Sequence, residues 1–432
     1  MAGNRFAARQ VVWILNSQSE QHKLPWHRVI NSKGQIGLTG EGYKIQKKLL
    51  LQEGVIFDER DKVDFREFLW KPKITDHSTV LNQSLKIFFT DFIKVSLKNP
   101  SQAFFFYKTV RWQKKAARTR ADLEKQGVHV PPIMIFSITN RCNLKCKGCY
   151  HWELHKTSEP EMNSEKMRSV IQEARDLGIS FMVLAGGEPF VRQEILDITK
   201  DFPEIIFLIF TNGLMINQEL LAKLKKQKNI VPVISLEGFR EDTDMRRGQG
   251  VYDKLKSIIK DLKKNNIFYS VSITISKQTF DDVFDEEFVK GLVDLGCKLF
   301  FFVEYTPIKE GTEDWIVTKE QRNRIMDTVK KFRTKYKALF IAVPGDEEEI
   351  GGCMSAGKGF IHVSADGNVE PCPFAPYSDT NLREMSLKDA LQSKFLKSIR
   401  DSHEHLSETE GGCALWIKRE WVRSMLNKNT RF

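Results

Sequence analysis

Residues 133–150 read IMIFSITNRCNLKCKGCY, and this stretch decides the fold class. The apolar run Ile133–Thr139 is typical of a buried strand, and a polar loop follows it directly. The loop holds three cysteines with the spacing C-x3-C-x2-C, namely Cys142, Cys146 and Cys149. Three thiolates so close in sequence can bind three irons of a [4Fe-4S] cluster and leave the fourth iron open. A zinc site completed by His151 or His155 is the alternative that the spacing leaves.

The chain beyond this loop alternates strand-like and helix-like runs. The further strand-like runs are Phe181–Leu184, Ile205–Phe210, Val231–Leu236, Tyr269–Ile275 and Leu299–Val303. The helix-like runs are Ser164–Leu177, Asn217–Lys226, Tyr252–Lys264, Asp285–Leu295 and Thr318–Lys335. Repeated βα units predict a parallel sheet in an α/β fold, here a partial (β/α)6 TIM-type barrel. Its chemistry is expected at the carboxyl ends of the strands.

Length and composition predict several globular domains. The chain has 432 residues, of which 41% are hydrophobic and 28% are charged. No stretch reaches the ~20 consecutive apolar residues that a membrane-spanning helix needs. We expect a cytoplasmic protein whose seven cysteines are metal ligands or thiols rather than disulfides. The predicted domains are a small α-rich, winged-helix-like unit at 1–72, a basic aromatic helical linker at 73–130, the barrel at 131–340, and a small α+β cluster-binding domain at 341–432.

Gly186-Gly187-Glu188-Pro189 lies one βα unit after the cysteine loop, and the order of the two motifs resembles the radical S-adenosylmethionine (SAM) superfamily. The resemblance implies that one electron from the cluster cleaves SAM, giving a 5'-deoxyadenosyl radical that abstracts hydrogen from a substrate. It also implies a reductant such as flavodoxin or ferredoxin. By this resemblance Gly186, Gly187 and Glu188 contact the SAM ammonium group, since glycines allow close approach and a carboxylate accepts from a cation.

The same resemblance assigns further SAM contacts at later strand ends. The fourth strand contributes Ser235 and Glu237, and Arg247 pairs with the SAM carboxylate, with Arg246 as the alternative. Ser276 or Thr274 bonds the ribose. The sequence departs from the family at Gly148, because the family usually has an aromatic residue there that lines the adenine.

Three cysteines beyond the barrel form a second candidate cluster site: Cys353, Cys372 and Cys413. Two strand-like runs around Asp366-Gly367 predict a hairpin between the first two of them. This region resembles the twitch-type relative of the SPASM extension, which implies one auxiliary [4Fe-4S] cluster. A fourth ligand would come from His403, His405 or a bound substrate, and the alternative is that the cysteines are buried structural residues. Cys297, at a helix-to-strand turn, is expected to be packed core.

The N-terminal residues show a second resemblance. Asn4–Val11, Leu24–Ser32 and Leu50–Gly54 look like the DNA-binding half of alkylguanine-DNA alkyltransferases. Trp26 stands where those enzymes have the nucleophilic cysteine, so no alkyl transfer is expected. The pattern resembles the alkyltransferase-like proteins, in which Arg9 would fill the space of a flipped base. The helix that precedes the recognition helix in the family has no counterpart, so a docking module or a fold remnant is the alternative.

A basic aromatic segment joins the N-terminal unit to the barrel. The net charge of the chain is +11, and residues 71–127 hold twelve Lys and Arg against four Asp and Glu. The segment packs against the barrel, lies on an anionic membrane surface, or supports DNA binding. The sequence therefore predicts a radical SAM enzyme with a peptide, lipid or nucleic-acid base as substrate. The alternative is a non-enzymatic protein that binds alkylated DNA and holds zinc in its cysteines.

Overall fold

The computed structural model describes residues 25–31, 33–64, 68, 100–155, 157–344, 353–402, 406 and 413–429. The chain divides into two compact units, Met1–Thr75 and Asp76–Phe432, and each is described by itself. Within the described ranges, no helix has both the length and the apolar character needed to cross a bilayer.

A nine-stranded sheet organises the larger unit. Its strands are β1 (Ile133–Thr139), β2 (Phe181–Gly186), β3 (Ile206–Thr211), β4 (Ile230–Leu236), β5 (Ser270–Ile275), β6 (Leu299–Glu304), β7 (Leu339–Val343), β8 (Phe360–Val363) and β9 (Val369–Glu370). They lie in the order β7-β6-β5-β4-β3-β2-β1-β8-β9, and neighbours are parallel except in the β8–β9 hairpin. Consecutive strands are neighbours from β1 to β7, as expected for the repeated βα units of a partial barrel.

The sheet is larger than the sequence predicts. The six predicted strands are present, each with bounds within two residues of the prediction. β7 adds a parallel strand beside β6, and β8 pairs with β1 at the other edge. The hairpin predicted around Asp366-Gly367 is present, but it continues the barrel sheet instead of standing apart from it.

The described α-helices lie mostly between the strands. They are α1 (Gly40–Gln52), α2 (Pro100–Glu124), α3 (Tyr150–Leu154), α4 (Ser164–Asp176), α5 (Ile195–Thr199), α6 (Gln218–Lys226), α7 (Arg240–Arg247), α8 (Val251–Lys264), α9 (Phe280–Val283), α10 (Glu286–Asp294), α11 (Lys319–Lys335), α12 (Leu387–Ala390), α13 (Lys394–Asp401), α14 (Ala414–Ile417) and α15 (Arg419–Asn429). The spacing of apolar residues along a helix explains which of its faces is buried. In α8, for example, the residues at helical spacing are buried: Val251, Leu255, Ile259 and Leu262.

Helix α2 closes the amino-terminal end of the barrel. Its Phe106 is fully buried and packs edge-to-face on Phe268 at 5.4 Å between ring centroids. The same cluster contains residues at the starts of several strands, among them Phe181, Ile206, Val231 and Leu299. Residues 100–124 of the basic aromatic segment thus pack against the barrel, while residues 73–99 lie outside the described residues. With this end closed by α2, the carboxyl ends of the strands are the open side of the barrel.

A buried polar chain connects the last two strands to the first. The Oγ of Ser137 on β1 lies 2.8 Å from Nε2 of His362 on β8, and Nδ1 of His362 lies 2.7 Å from a carboxylate oxygen of Glu370 on β9. All three side chains are buried. Because each polar group has a partner, the chain fixes the position of the hairpin against the barrel. Cys297 is packed core, as expected, and its thiol donates to the Leu299 carbonyl.

The smaller unit brings His27 and Glu53 together. His27 Nε2 and Glu53 Oε1 are 2.9 Å apart, and Arg28 also donates to Glu53. Hydrogen bonds from Arg28 and His27 lower the pKa of Glu53 to about 2. Trp26, in the turn Trp26–Arg28, is partly buried beside His27. Arg9 lies outside the described residues.

Candidate active site

The cysteine loop is anchored at both ends to the barrel. Glu161 accepts hydrogen bonds from the Asn140 amide at 2.7 Å and from the Thr139 hydroxyl at 2.9 Å. At the other end, the Lys147 amide donates to the Arg246 carbonyl at 2.9 Å. The loop therefore keeps its position above β1 through contacts within the protein. Its cysteines are partly buried, and none of the seven described cysteines forms a disulfide.

The chemistry of the loop thiols fits an iron–sulfur cluster. Cys142 Sγ accepts from the Leu144 amide at 3.5 Å and from Asn212 Nδ2 at 3.8 Å, as a thiolate ligand would. Burial raises the pKa of Cys142 to about 11, and burial also raises the pKa of Cys146. Thiolates in such a place require strong positive charge nearby, which bound iron provides.

The histidines proposed for the zinc alternative have other partners. His151 Nε2 lies 3.3 Å from the Asn140 carbonyl, and His155 Nε2 lies 2.9 Å from the Pro373 carbonyl. Burial lowers the pKa of His151 to about 4. Across the described ranges, no three His, Cys, Asp or Glu side chains are grouped as ligands of a single metal ion.

The two glycines after β2 allow this turn to lie directly on the cysteine loop. A Cβ on Gly186 would lie 2.3 Å from the Thr139 carbonyl oxygen, and a Cβ on Gly187 would lie 2.2 Å from that of Arg141. Gly186 also has a φ of +113°, which disfavours any side chain. Main-chain bonds join the two loops, from Gly187 N to Thr139 O at 2.8 Å and from Glu188 N to Arg141 O at 2.9 Å.

Glu188 is buried and ties β2 to β3. Its carboxylate accepts from the Thr211 hydroxyl at 2.7 Å, from the Asn212 amide at 2.7 Å and from the Phe190 amide at 3.1 Å. Burial raises the pKa of Glu188. Because three of about four acceptor positions on a carboxylate are used, at most one remains for a ligand cation.

Two arginines on α7 share the carboxylate of Glu237. Arg246 donates to Glu237 at 2.6 Å and to the Thr274 hydroxyl at 2.7 Å, and its Nε bonds the Lys147 carbonyl. Arg247 donates to the same Glu237 oxygen, but its Nε is buried without a partner among the described residues. The positive charge of Arg247 acts on both Cys146 and Glu188, partly opposing the effect of burial on their pKa values.

A cavity of about 200 Å³ opens beside this charge cluster. Its lining residues lie at or beyond the carboxyl ends of β4, β5 and β6: Glu237, Asp242, Met245, Arg246, Thr274, Ser276, Gln278, Thr279, Tyr305 and Trp315. The rings of Tyr305 and Trp315 lie 5.1 Å apart and form an aromatic wall. The cavity thus combines an aromatic surface with hydroxyls and carboxylates, the groups that bind a nucleoside.

Tyr305 also explains the glycine in the cysteine loop. A Cβ on Gly148 would lie 2.4 Å from the Tyr305 hydroxyl, and Gly148 has a φ of +64°. The Tyr305 side chain therefore occupies the space that a side chain at position 148 would need. Sequence reasoning assigned no role to Tyr305, Trp315 and Asp242, which line the cavity. The available signal was the position of Tyr305 directly after β6.

The sequence-predicted residues are not all in one place. Glu237, Ser276 and the alternatives Arg246 and Thr274 line the cavity. Ser235 is partly exposed on β4, where its register partner is Ser272 of β5, and it is not among the residues that line the cavity.

The C-terminal cysteines come from separate segments. Cys372 is buried next to the end of β9, whereas Cys353 and Cys413 are partly buried against the main core. Cys353 Sγ lies 3.2 Å from the Ser355 hydroxyl, and Cys413 directly precedes the first residue of α14. Three thiols are donors that suit a cluster. His403 and His405, suggested as a fourth ligand, lie outside the described residues.

The two cysteine regions are in contact through Tyr150. This residue follows Cys149, and its ring lies 4.9 Å from that of Phe374, two residues after Cys372. Burial, with smaller effects of Cys149 and Cys372, raises the pKa of the Tyr150 phenol. Tyr150 is therefore within electrostatic reach of a cysteine from each set.

Comparisons with known families agree with this geometry. Residues 136–286 match the family model of the radical SAM superfamily, and residues 353–414 match that of the SPASM iron–sulfur cluster-binding domain. The chain is a radical SAM enzyme. Its cofactors are SAM and [4Fe-4S] clusters. Residues 1–55 match the DNA-binding domain of 6-O-methylguanine DNA methyltransferase, so the chain has the predicted fusion architecture.

Several relatives of this enzyme have established names. The AdoMet-dependent heme synthase of Methanosarcina barkeri is 24% identical over 64% of this chain and 86% of its own length. The subtilosin biosynthesis protein AlbA of Bacillus subtilis is 30% identical over 56% of this chain, and the match covers 54% of the length of AlbA. Streptococcus suis SuiB bound to its precursor peptide SuiA has a TM-score of 0.53 at 19% identity, covering 72% of this chain and 75% of SuiB.

Proposed function

We propose that this enzyme binds SAM across the carboxyl ends of β1, β2, β4, β5 and β6, with Cys142, Cys146 and Cys149 as ligands of the cluster. When bound, the cluster and SAM supply the hydrogen-abstracting chemistry of the family. The residues of this chain hold the cosubstrate. The glycine turn Gly186–Gly187 and Glu188 receive the ammonium group, and Arg247 receives the carboxylate.

The observation that carries this proposal is the unpartnered Nε of Arg247. A buried guanidinium N–H without an acceptor is costly, so it indicates a missing anionic partner. The Arg247 charge acts on Cys146 and on Glu188, which supports a position between the cluster ligands and the ammonium site. Arg246, the alternative, already donates to three protein acceptors.

The adenosine part of SAM then lies in the cavity. Tyr305 and Trp315 offer the aromatic wall that the cysteine loop lacks at Gly148, and Ser276 and Glu237 bond the ribose hydroxyls. These two rings replace the adenine contact that the family takes from its loop aromatic.

The test compares Arg247→Gln with Arg240→Gln on the same helix. Arg240 is exposed and bonds Asp253, so its loss controls for the change in charge. Arg247→Gln should weaken SAM binding about tenfold to a hundredfold, as expected for a lost charged hydrogen bond. Equal SAM affinities in the two variants, measured by isothermal titration on anaerobically reconstituted protein, would exclude the assignment.

We propose that the substrate is a peptide, which presents an apolar group to the inner face of the barrel. The strand residues that face into the barrel and are partly exposed include Val183, Phe210, Phe301 and Ile341. They pack against the hydrophobic cluster that contains Phe106 at the closed end of the barrel. Along β1–β7, no described strand residue is Lys or Arg. Such a wall suits an uncharged side chain better than a phosphorylated or polycarboxylate substrate. The SuiB–SuiA complex supports this class by fold analogy.

Deuterium transfer would test the substrate class. Peptide, lipid and nucleic-acid fractions from cells grown on deuterated medium are each incubated with the reduced enzyme and SAM. Deuterium in 5'-deoxyadenosine should come from the peptide fraction. Transfer from the lipid or nucleic-acid fraction alone would reject the peptide proposal without affecting the SAM site.

We also propose that the enzyme works in the cytoplasm with flavodoxin or ferredoxin as reductant. Its proposed domain boundaries are at residues 72, 130 and 340.

For residues 1–72 we propose binding of alkylated guanine without alkyl transfer. Trp26 supports this, because it gives an apolar face beside the retained His27–Glu53 pair. Fluorescence anisotropy with O6-methylguanine duplex should show a preference over unmodified duplex. That preference should disappear in Arg9→Ala/Trp26→Ala.

A further inference from the structure

The outward face of α2 carries a continuous basic stripe, which the SAM site does not use. Its cations are Lys108, Arg111, Lys114, Lys115 and Arg118. At a spacing of three and four residues they share one side of the helix, over about 15 Å of its axis at about 1.5 Å per residue. All five side chains are exposed, and the exposed rings of Phe104 and Tyr107 lie at one end of the stripe.

Among the described residues, these cations have no carboxylate partner. The first acidic residue that follows them on the helix is Asp122, and it already pairs with Lys125 at 2.9 Å. Within the described part of the chain, the stripe is thus a row of positive charges without an intramolecular counterpart. It fits a partner with regularly spaced negative charges.

The opposite face of α2 argues against a membrane as that partner. An interfacial helix inserts its apolar face into the lipid. In α2 that face is occupied, since Phe106 is buried in the barrel floor and Arg120 donates to the Gly178 carbonyl. A Cβ on Gly178 would lie 2.6 Å from the Ala116 carbonyl oxygen, which shows how closely the helix is packed. The side left outward is cationic, with two aromatic rings at one end only.

We propose that the basic stripe of α2 binds the phosphate backbone of DNA. Phosphodiesters repeat along each strand of the duplex, so several cations in a row can each meet a phosphate. Lys108 lies 4.6 Å from the centroid of the Phe104 ring, which holds this lysine at the end of the row. The match of residues 1–55 to a DNA-binding domain gives the same chain a second DNA-directed element. The stripe adds affinity without sequence preference.

The experiment uses the full chain and a salt series. The variant Lys108→Ala/Arg111→Ala/Lys115→Ala removes three charges from the stripe. Its control, Lys254→Ala/Lys260→Ala/Lys264→Ala, removes three exposed charges from α8. Binding to a labelled duplex is measured by anisotropy, and the slope of log K against log salt should become shallower by about 0.9 for each phosphate that the protein no longer neutralises. For the stripe variant this change should reach up to about three phosphates, and the control should keep the slope of the unaltered chain.

The outcomes separate this proposal from the others. Equal slopes for the stripe variant and the unaltered chain would overturn it, as would binding to phosphatidylserine vesicles that depends on the stripe while DNA binding does not. SAM cleavage without substrate is measured on the same preparations. It should be unchanged in both variants, because neither set of lysines and arginines lines the SAM cavity.

Discussion

The two cysteine sets of this enzyme are built in opposite ways. Cys142, Cys146 and Cys149 lie within one short loop, which the barrel anchors through Glu161 and Arg246. Cys353, Cys372 and Cys413 lie on three segments far apart in sequence. The first set depends on local chain geometry, whereas the second set requires that distant segments first come together. We therefore expect iron to matter for chemistry at the first site and for folding at the second.

The largest effect should follow removal of the first set. Anaerobically reconstituted protein should bind about eight irons per chain if two [4Fe-4S] clusters form, and Cys142→Ala/Cys146→Ala/Cys149→Ala should bind about four. Reductive SAM cleavage should be abolished, because these thiols are the proposed cluster ligands beside Arg247. Iron, acid-labile sulfide and 5'-deoxyadenosine are the measurements. Unchanged iron content with undiminished cleavage would contradict the assignment.

Removal of the second set should change folding more than SAM cleavage. Cys353→Ala/Cys372→Ala/Cys413→Ala should also bind about four irons, yet still cleave SAM. The segments that carry these cysteines would lose their shared metal link, so limited proteolysis should cut the region 345–414 faster. The first triple variant is the matched control. Equal protease resistance in the two variants would show that the comparison between local and dispersed sites is wrong.

The same contrast explains what the sequence could predict. The six strands, the cysteine loop after the first strand and the glycine turn after the second all follow from patterns within a few residues, and the structure has them at these positions. The pairing of β8 with β1 could not be predicted, because it joins residues more than 200 positions apart through Ser137 and His362. Tyr305 was missed for a related reason. Its role depends on meeting Gly148 in space, and nothing near either residue in sequence indicates that contact.

The meeting of Tyr305 and Gly148 gives a third prediction, of intermediate size. Tyr305→Ala should weaken SAM binding about tenfold, as expected for the loss of one stacking partner of a base. Tyr305→Phe should bind nearly normally, because the ring remains. Gly148→Phe should be damaging alone, since the new side chain would meet the Tyr305 ring. Combined with Tyr305→Ala it should recover part of the affinity, because the aromatic surface returns from the loop. Equal SAM affinities of Tyr305→Ala and Tyr305→Phe would place the adenine elsewhere.

The smallest expected effect concerns Asp242, which lines the cavity. Burial, with the neighbouring Asp282 carboxylate, raises the pKa of Asp242 to about 6. A carboxyl whose pKa is higher in the folded chain than in the unfolded chain takes up its proton more readily when folded. Stability should therefore rise as pH falls through about 6, and the ionised form should cost stability above it. Asp242→Asn removes this cost, so it should raise the melting temperature at pH 8, raise it less as pH falls from about 6 to about 4, and leave it nearly unchanged near pH 3. Asp253→Asn, on the exposed side of α8, is the control. Arg240 lowers the pKa of Asp253, so loss of the Asp253 carboxylate should not stabilise the protein at pH 8.

An identical melting temperature for Asp242→Asn and the unaltered chain at pH 8 would show that the cavity accommodates the Asp242 charge without cost. The ionised Asp242 carboxylate would then not destabilise the fold, and it would be available to pair with the positively charged sulfonium of SAM.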